Sequence, residues 1–216
     1  MAELSLSGGL FAELTAAGAY YAMTTPATSR EHLPFLWNVM REGSTTFFSE
    51  AAAQRWTDTP DPKTALEQVW RWQRMGLIRG TSEPMAPETL GMDDVLPALL
   101  VRLSSTSKGL IASANGMVMS SVGYRHETAE ELAGFAVTFM ACQEKAHRLL
   151  RNNLRIHTEG LGLIDAAGES DLGFWPMYIM DERWVLTLAG EPRLQDRALL
   201  RMVMALDLRY GTPHST

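Results

Sequence analysis

Apolar residues recur at three- and four-residue spacing through the first third of the chain. The earliest run, Leu10, Phe11, Leu14, Ala17 and Tyr21, predicts an amphipathic helix closed off by Thr25-Pro26. Ser29 is placed to cap a second helix, with Leu33, Leu36, Trp37 and Met40 on one face and an end near Gly43. A short helix is expected from Ser49 to Trp56. Asp61-Pro62 then supplies an N-cap and a proline at the first helical position, opening a helix with Leu66, Val69 and Trp70 that runs to Gly76. Leu77 to Gly80 is left as a short strand or turn.

Periodicity breaks at Gly80-Thr-Ser-Glu-Pro84-Met-Ala-Pro87, where the prolines disfavour helix at the residues before them. The expected organisation is a mostly helical domain over residues 1–80, a linker over 81–91 and a second domain over 92–216. In the second domain Asp93-Asp94 opens a helix with Val95, Leu96, Leu99, Leu100 and Leu103, and Pro97 is expected in its first turn. Two strand-like runs joined by Asn115-Gly116 predict a hairpin with a type I′ turn. Thr128 with Glu131 forms a capping-box pattern ahead of a long helix carrying Leu132, Phe135, Ala136, Phe139, Cys142, Ala146 and Leu149 to about Arg151. Strands are expected at Leu154 to Thr158, Gly173 to Met180 and Trp184 to Ala189. Glu191-Pro192 is expected to start a final helix ending at Gly211.

The order of helix, hairpin, long helix, three strands and helix predicts an α+β fold. The second part resembles the roadblock (dynein light chain) family. The likeness is carried by the leading helix before Lys108-Gly109-Leu110-Ile111, the Asn115-Gly116-Met117-Val118-Met119 hairpin, the alanine-rich helix from Thr128, and Trp184 to Leu188 ahead of the last helix, and it spans Asp93 to Tyr210. It implies an antiparallel five-stranded sheet covered by helices, as in roadblock and profilin folds. It also implies a noncatalytic scaffold or regulator that dimerises by joining sheets edge to edge with long helices side by side, working with Ras-like small GTPases or motor complexes. Carried onto this chain, the dimer surface falls on the strand around Leu154 and Ile156 and on the helix face of Phe135, Phe139 and Cys142. The alternative is that these side chains face their own sheet. Two features depart from the family pattern: the stretch from Ile164 to Leu172 is longer than a tight hairpin needs, and a helical domain is fused in front.

The three short helices of the first part, flowing into a strand, resemble a winged helix-turn-helix. Lys63, Glu67, Arg71 and Arg74 form one stripe on the third helix, so Lys63, Arg71 and Arg74 are the candidate DNA contacts of a second reading, a dimeric DNA-binding transcriptional regulator. The same stripe also fits a solvated face with a Glu67 to Arg71 pair.

Composition narrows the chemistry. A net charge of −6 argues against broad charge-driven wrapping of nucleic acid or anionic membrane. No positively charged stretch precedes an apolar run at the N-terminus, and none approaches the roughly 20 apolar residues of a membrane span, so a cytoplasmic protein without a membrane partner is expected. The single cysteine, Cys142, excludes an internal disulfide and falls in the apolar spacing of the long helix, which predicts a buried, unreactive thiol. Neither glycine-rich nucleotide motif is present, and His147 and His157 lack ligand spacing, so no cofactor, metal or catalytic residue is assigned. Asp165, Glu169, Asp171, Asp181 and Glu182 read as solvated turn residues. The basic cluster Lys145, Arg148, Arg151 and Arg155 either complements the end of the long helix or meets an acidic partner surface. Thirteen methionines and six tryptophans are either core filler or contact residues, with Met117, Met119, Trp70 and Trp72 the leading contact candidates.

Overall fold

The computed structural model describes residues 9–25, 34–85, 91–179 and 182–210. Ser29, Leu33, Asp181, Gly211 and residues 86–90 of the predicted linker lie outside them. The first part runs β1 (Phe11–Leu14), α1 (Ala16–Thr24), α2 (Pro34–Glu42), α3 (Glu50–Thr57), α4 (Pro62–Arg74) and β2 (Ile78–Thr81). The predicted first helix is corrected, because its leading residues form β1, antiparallel to β2. Thr15 sets the change. Its amide N–H donates to the Leu77 carbonyl at 3.0 Å and its hydroxyl to the Gly76 carbonyl at 2.6 Å, while its Oγ1 accepts from the Gly18 N–H at 3.1 Å. A helix can therefore begin only at Ala16. Gly18 is needed at this crossing, since a Cβ there would drive into the Leu77 carbonyl oxygen.

The caps of α3 and α4 follow the sequence. The Ser49 Oγ accepts from the Ala52 N–H at 3.1 Å, and Asp61 accepts from the Thr64 N–H at 2.8 Å. Hydrogen bonds from the Thr64 hydroxyl and amide hold the Asp61 carboxyl below its ordinary pKa. The small sheet has an unexpected order: the strand beside β2 is β1, from the other end of this segment, and a single bridge joins Phe11 to Phe47.

The second part runs α5 (Met92–Leu103), β3 (Gly109–Ala112), β4 (Val118–Val122), α6 (His126–Lys145), β5 (Leu161–Ile164), β6 (Ser170–Ile179), β7 (Glu182–Ala189) and α7 (Arg197–Tyr210). The fold is α+β, with a five-stranded antiparallel sheet in the order β4-β3-β7-β6-β5. Side chains alternate across it: Ile111, Trp175, Met177, Leu186 and Leu188 face α1, α5 and α7, whereas Leu110, Ala112, Phe174 and Val185 face α6.

Several boundaries differ from expectation. Pro97 sits past the first turn of α5, since the helix starts at Met92 behind Gly91, and so it leaves the Asp93 carbonyl without its helical donor. Helix α6 begins at His126, making Thr128 a third helical residue instead of the cap. Pro192 is held in a bridge to Ser104, so α7 starts later, at Arg197, behind Asp196, whose Oδ1 accepts from the Ala198 N–H at 2.7 Å. The Asn115-Gly116 turn is not type I′. Only Gly116 has a positive φ, the Gly116 N–H donates to the Ser113 carbonyl at 3.0 Å and the Ser113 N–H to the Met117 carbonyl at 2.9 Å, the pattern of a three-residue loop. Residues 165–169 repeat it with Asp165 and Gly168 in the places of Ser113 and Gly116. The stretch from Ile164 to Leu172 is therefore a tight hairpin, its turn locked by Asp165 Oδ1 accepting from the Ala167 and Glu169 N–H groups.

The two parts share one buried cluster. Leu200 and Met204 of α7 meet Ala12, Leu14, Val39 and Met40, and Arg41 donates to both Asp207 carboxylate oxygens at 2.7 and 2.5 Å. Glu13, 5% exposed, accepts from Arg79, from Arg197 at 2.9 Å and from the Met85 N–H at 3.0 Å. Truncating Leu206, fully buried on α7, to alanine is expected to cost about 2–5 kcal/mol. Far-UV circular dichroism and tryptophan fluorescence should report one coincident unfolding transition in both proteins; two separate transitions would show that the halves melt independently.

Candidate functional site

Helix α6 alone covers its face of the sheet, and the residues it buries are small: Ala129, Ala133 and Ala136, with Met140. A small-residue face lets the helix sit close to the strands. The large apolar residues predicted to line the core are displaced to its flank. Phe135 is 44% exposed, and Leu132 and Phe139 are partly buried. Phe135 and Phe139 stack at 5.6 Å between ring centroids, and both meet the buried Phe174 edge-on, at 5.7 and 5.1 Å. One aromatic pair thus touches its own sheet and also faces solvent.

The predicted burial of Cys142 is corrected. It lies two turns after Phe135 on this flank and is exposed, because Met140 takes the inward position.

The strand predicted around Leu154 and Ile156 is also corrected. Helical hydrogen bonding continues beyond α6 as a π-helical turn, Arg148–Asn153, in which the Leu154 N–H donates to the Leu149 carbonyl at 3.0 Å. The Ile156 N–H donates to the Leu150 carbonyl at 2.9 Å, and Arg155 takes a φ of 55°. Those bonds use the amides that a ladder would need. Leu154 and Ile156 are exposed on the chain entering the real edge strand, β5, where Leu163 and Ile164 are exposed and Ile164 is 66% so. Leu161 of β5 packs with Phe139 and Phe174. The α6 flank and the β5 edge therefore form one continuous apolar strip, open along β5's outer side. Sequence reasoning missed Leu163 and Ile164; the signal was the repeated turn pattern, Ser-Ala-Asn-Gly and Asp-Ala-Ala-Gly, which fixes where a strand must end.

The basic cluster continues from this strip. Lys145 ends α6, Arg148 and Arg151 lie on the π-helical turn, and Arg155 follows it, all four exposed. Arg151 pairs with Glu159 at 2.5 Å. Burial and the Glu159 carboxylate raise the pKa of Tyr20 on α1.

Lys63, Arg71 and Arg74 lie elsewhere, exposed on α4 beside Glu67, and the Arg74 guanidinium stacks on the exposed Trp70 ring at 4.9 Å. Trp72 packs against Phe35 and Tyr21. Met117 is exposed at the tip of its turn, whereas Met119 packs on the core. Among the described residues no group of three or more His, Cys, Asp or Glu is arranged to hold a metal ion, and no helix is long and apolar enough to cross a membrane.

No protein-family model and no curated protein matches the sequence. Three solved chains align with part of this one, two of them as follows. A roadblock/LC7 domain from Streptomyces avermitilis is 18% identical with a TM-score of 0.36, over 56% of this chain and 93% of that one. MglB of Myxococcus xanthus is 16% identical with a TM-score of 0.34, over 56% and 92%. Both are remote likenesses.

The contrast between Phe174 and Phe135 can be measured. Phe174→Ala, at a fully buried position, is expected to cost about 3–5 kcal/mol in urea unfolding of the dilute protein. Phe135→Ser should cost about 1 kcal/mol, the scale of an aromatic contact at a half-exposed site. Equal losses would place Phe135 in the core.

Proposed function

We propose that the chain is a noncatalytic interaction module that works as a homodimer, with the α6 flank and the β5 edge as the dimer surface. The observation that carries this reading is the continuity of Phe135, Phe139 and Cys142 with Leu161, Leu163 and Ile164 along an unpaired strand. An open edge that is also apolar invites pairing with another chain. A two-fold dimer covers it, because each copy supplies the strand the other lacks. The loop residues Leu154 and Ile156 border this surface.

The resemblance of Asp93 to Tyr210 to the roadblock family makes a Ras-like small GTPase the proposed partner class, with the dimer as its platform. The exposed Lys63, Arg71 and Arg74 stripe supports the second reading, in which α4 enters a DNA groove. Glu67 within that stripe and the engagement of Arg74 with Trp70 weigh against it.

Sedimentation velocity at micromolar concentration is expected to give a dimer, and Phe135→Asp with Ile164→Asp a folded monomer. Cys142 should react with a thiol reagent more slowly in the dimer than in that variant. A monomeric native protein would overturn the proposal. Binding of purified GTP-loaded and GDP-loaded small GTPases, measured by calorimetry, tests the partner class; no binding to either, with salt-sensitive retention on duplex DNA lost in Arg71→Glu/Arg74→Glu, would favour the regulator reading.

A further inference from the structure

The strip that flanks β5 carries opposite charges at its two ends. Before the strand, residues 145–157 hold Lys145, Arg148, Arg151 and Arg155 and no acid; after it, residues 165–171 hold Asp165, Glu169 and Asp171 and no base. Residues 151–158 and 162–169 are exposed throughout. Arg151 is engaged by Glu159, but Lys145, Arg148, Arg155, Glu169 and Asp171 have no ion-pair partner among the described residues. The chain as a whole is acidic, so two copies repel each other unless local charges are matched.

The route into β5 keeps to the same edge. Gly160 lies against the Trp175 ring of β6, where a Cβ would collide, and the Gln143 side chain donates to the Glu159 carbonyl at 3.1 Å. Residues 159 and 160 thus continue β5's line beside β6, although the ladder itself stops at Leu161 opposite Phe174. Pro176, two residues further along β6, lacks the N–H that a longer ladder would use.

When two β5 strands pair antiparallel about a two-fold axis normal to the sheet at Gly162, Leu161 faces Leu163 of the second copy. The same register sets Gly160 opposite Ile164, so the chain leading into one β5, with Arg155 and Arg148, passes the 165–169 turn of the other copy. An axis at Leu163 shifts the register by two residues and still sends the chain entering one β5 past the turn of the other. Resting on the dimer proposed above, we infer that the β5–β6 turn of each copy, through Glu169 and Asp171, docks against Arg155 and Arg148 of the other, making two reciprocal ion clusters that fix the register of the dimer. The partner of the basic cluster is then a second copy of this chain. The apolar strip supplies the attraction, and the charges exclude slipped or parallel alignments.

Two variants test this. Arg148→Glu/Arg155→Glu sets acids against the acidic turn of the other copy, and Glu169→Lys/Asp171→Lys sets bases against its basic run; all four positions are exposed, and circular dichroism should match the native protein. Each homodimer is expected to weaken by about tenfold or more in dissociation constant, measured by sedimentation at 0.1 M salt. Mixed together, the two variants should form a heterodimer of near-native affinity, detected by native mass spectrometry, because each run again faces its opposite. If both variants dimerise as the native protein does and mix statistically, the ion clusters are wrong and the dimer stands. If the native protein is monomeric, the dimer and the clusters fall together.

Discussion

A helix that is apolar on two sides has to be enclosed by two neighbours, and α7 imposes that requirement on the whole chain. Ala198, Leu199, Met202, Val203 and Leu206 fit the stripe facing the sheet and α5, but Leu200 and Ala205 are buried as well. The N-terminal part supplies the second wall. Its position is set by charges near the two ends of α7: Arg197 reaches Glu13 and Asp207 receives Arg41. A carboxylate as buried as Glu13 is costly unless matched, and two guanidinium groups and one amide match it. Such pairs do less for net stability than for specifying which surfaces meet. The hydrogen bonds that Arg41 donates to Asp207 also raise the pKa of Arg41, keeping its charge fixed at the contact.

This enclosure divides the sheet unequally. One face is closed by α1, α5 and α7, and beyond them by the N-terminal helices; the other has α6 alone. Strand β5, farthest from β4, has a neighbour on one side only. The asymmetry leaves the apolar strip and the charged runs along a single edge of the sheet.

Much of the architecture was legible in the sequence because local chemistry and tertiary packing agree there. Ser49, Asp61-Pro62 and the glycines after each turn act within a few residues of themselves, and helices α3 and α4 and strands β6 and β7 follow. Failures occur where a distant partner decides. The Leu10 to Leu14 run has helical spacing, yet β2 lies beside it and Leu77 takes the Thr15 amide. Leu154 and Ile156 look like a strand, but carbonyls of the preceding turn claim their amides first. In the candidate site, Phe135 and Phe139 were identified as members of a stripe, while the side of α6 that packs inward was not. That choice belongs to the alanines, whose weak hydrophobic signal is outvoted in any reading of periodicity.

Those alanines have a wider consequence. Ala133 and Ala136 set the height at which α6 rides over the sheet, and so how far the Phe135 and Phe139 rings project past the rim formed by Leu161 and Phe174. Residues buried beneath the rings thereby act as shims under the proposed contact surface. A lineage could retune the reach of this face through its interior, by the size of two buried methyl groups, without altering one residue that a partner touches.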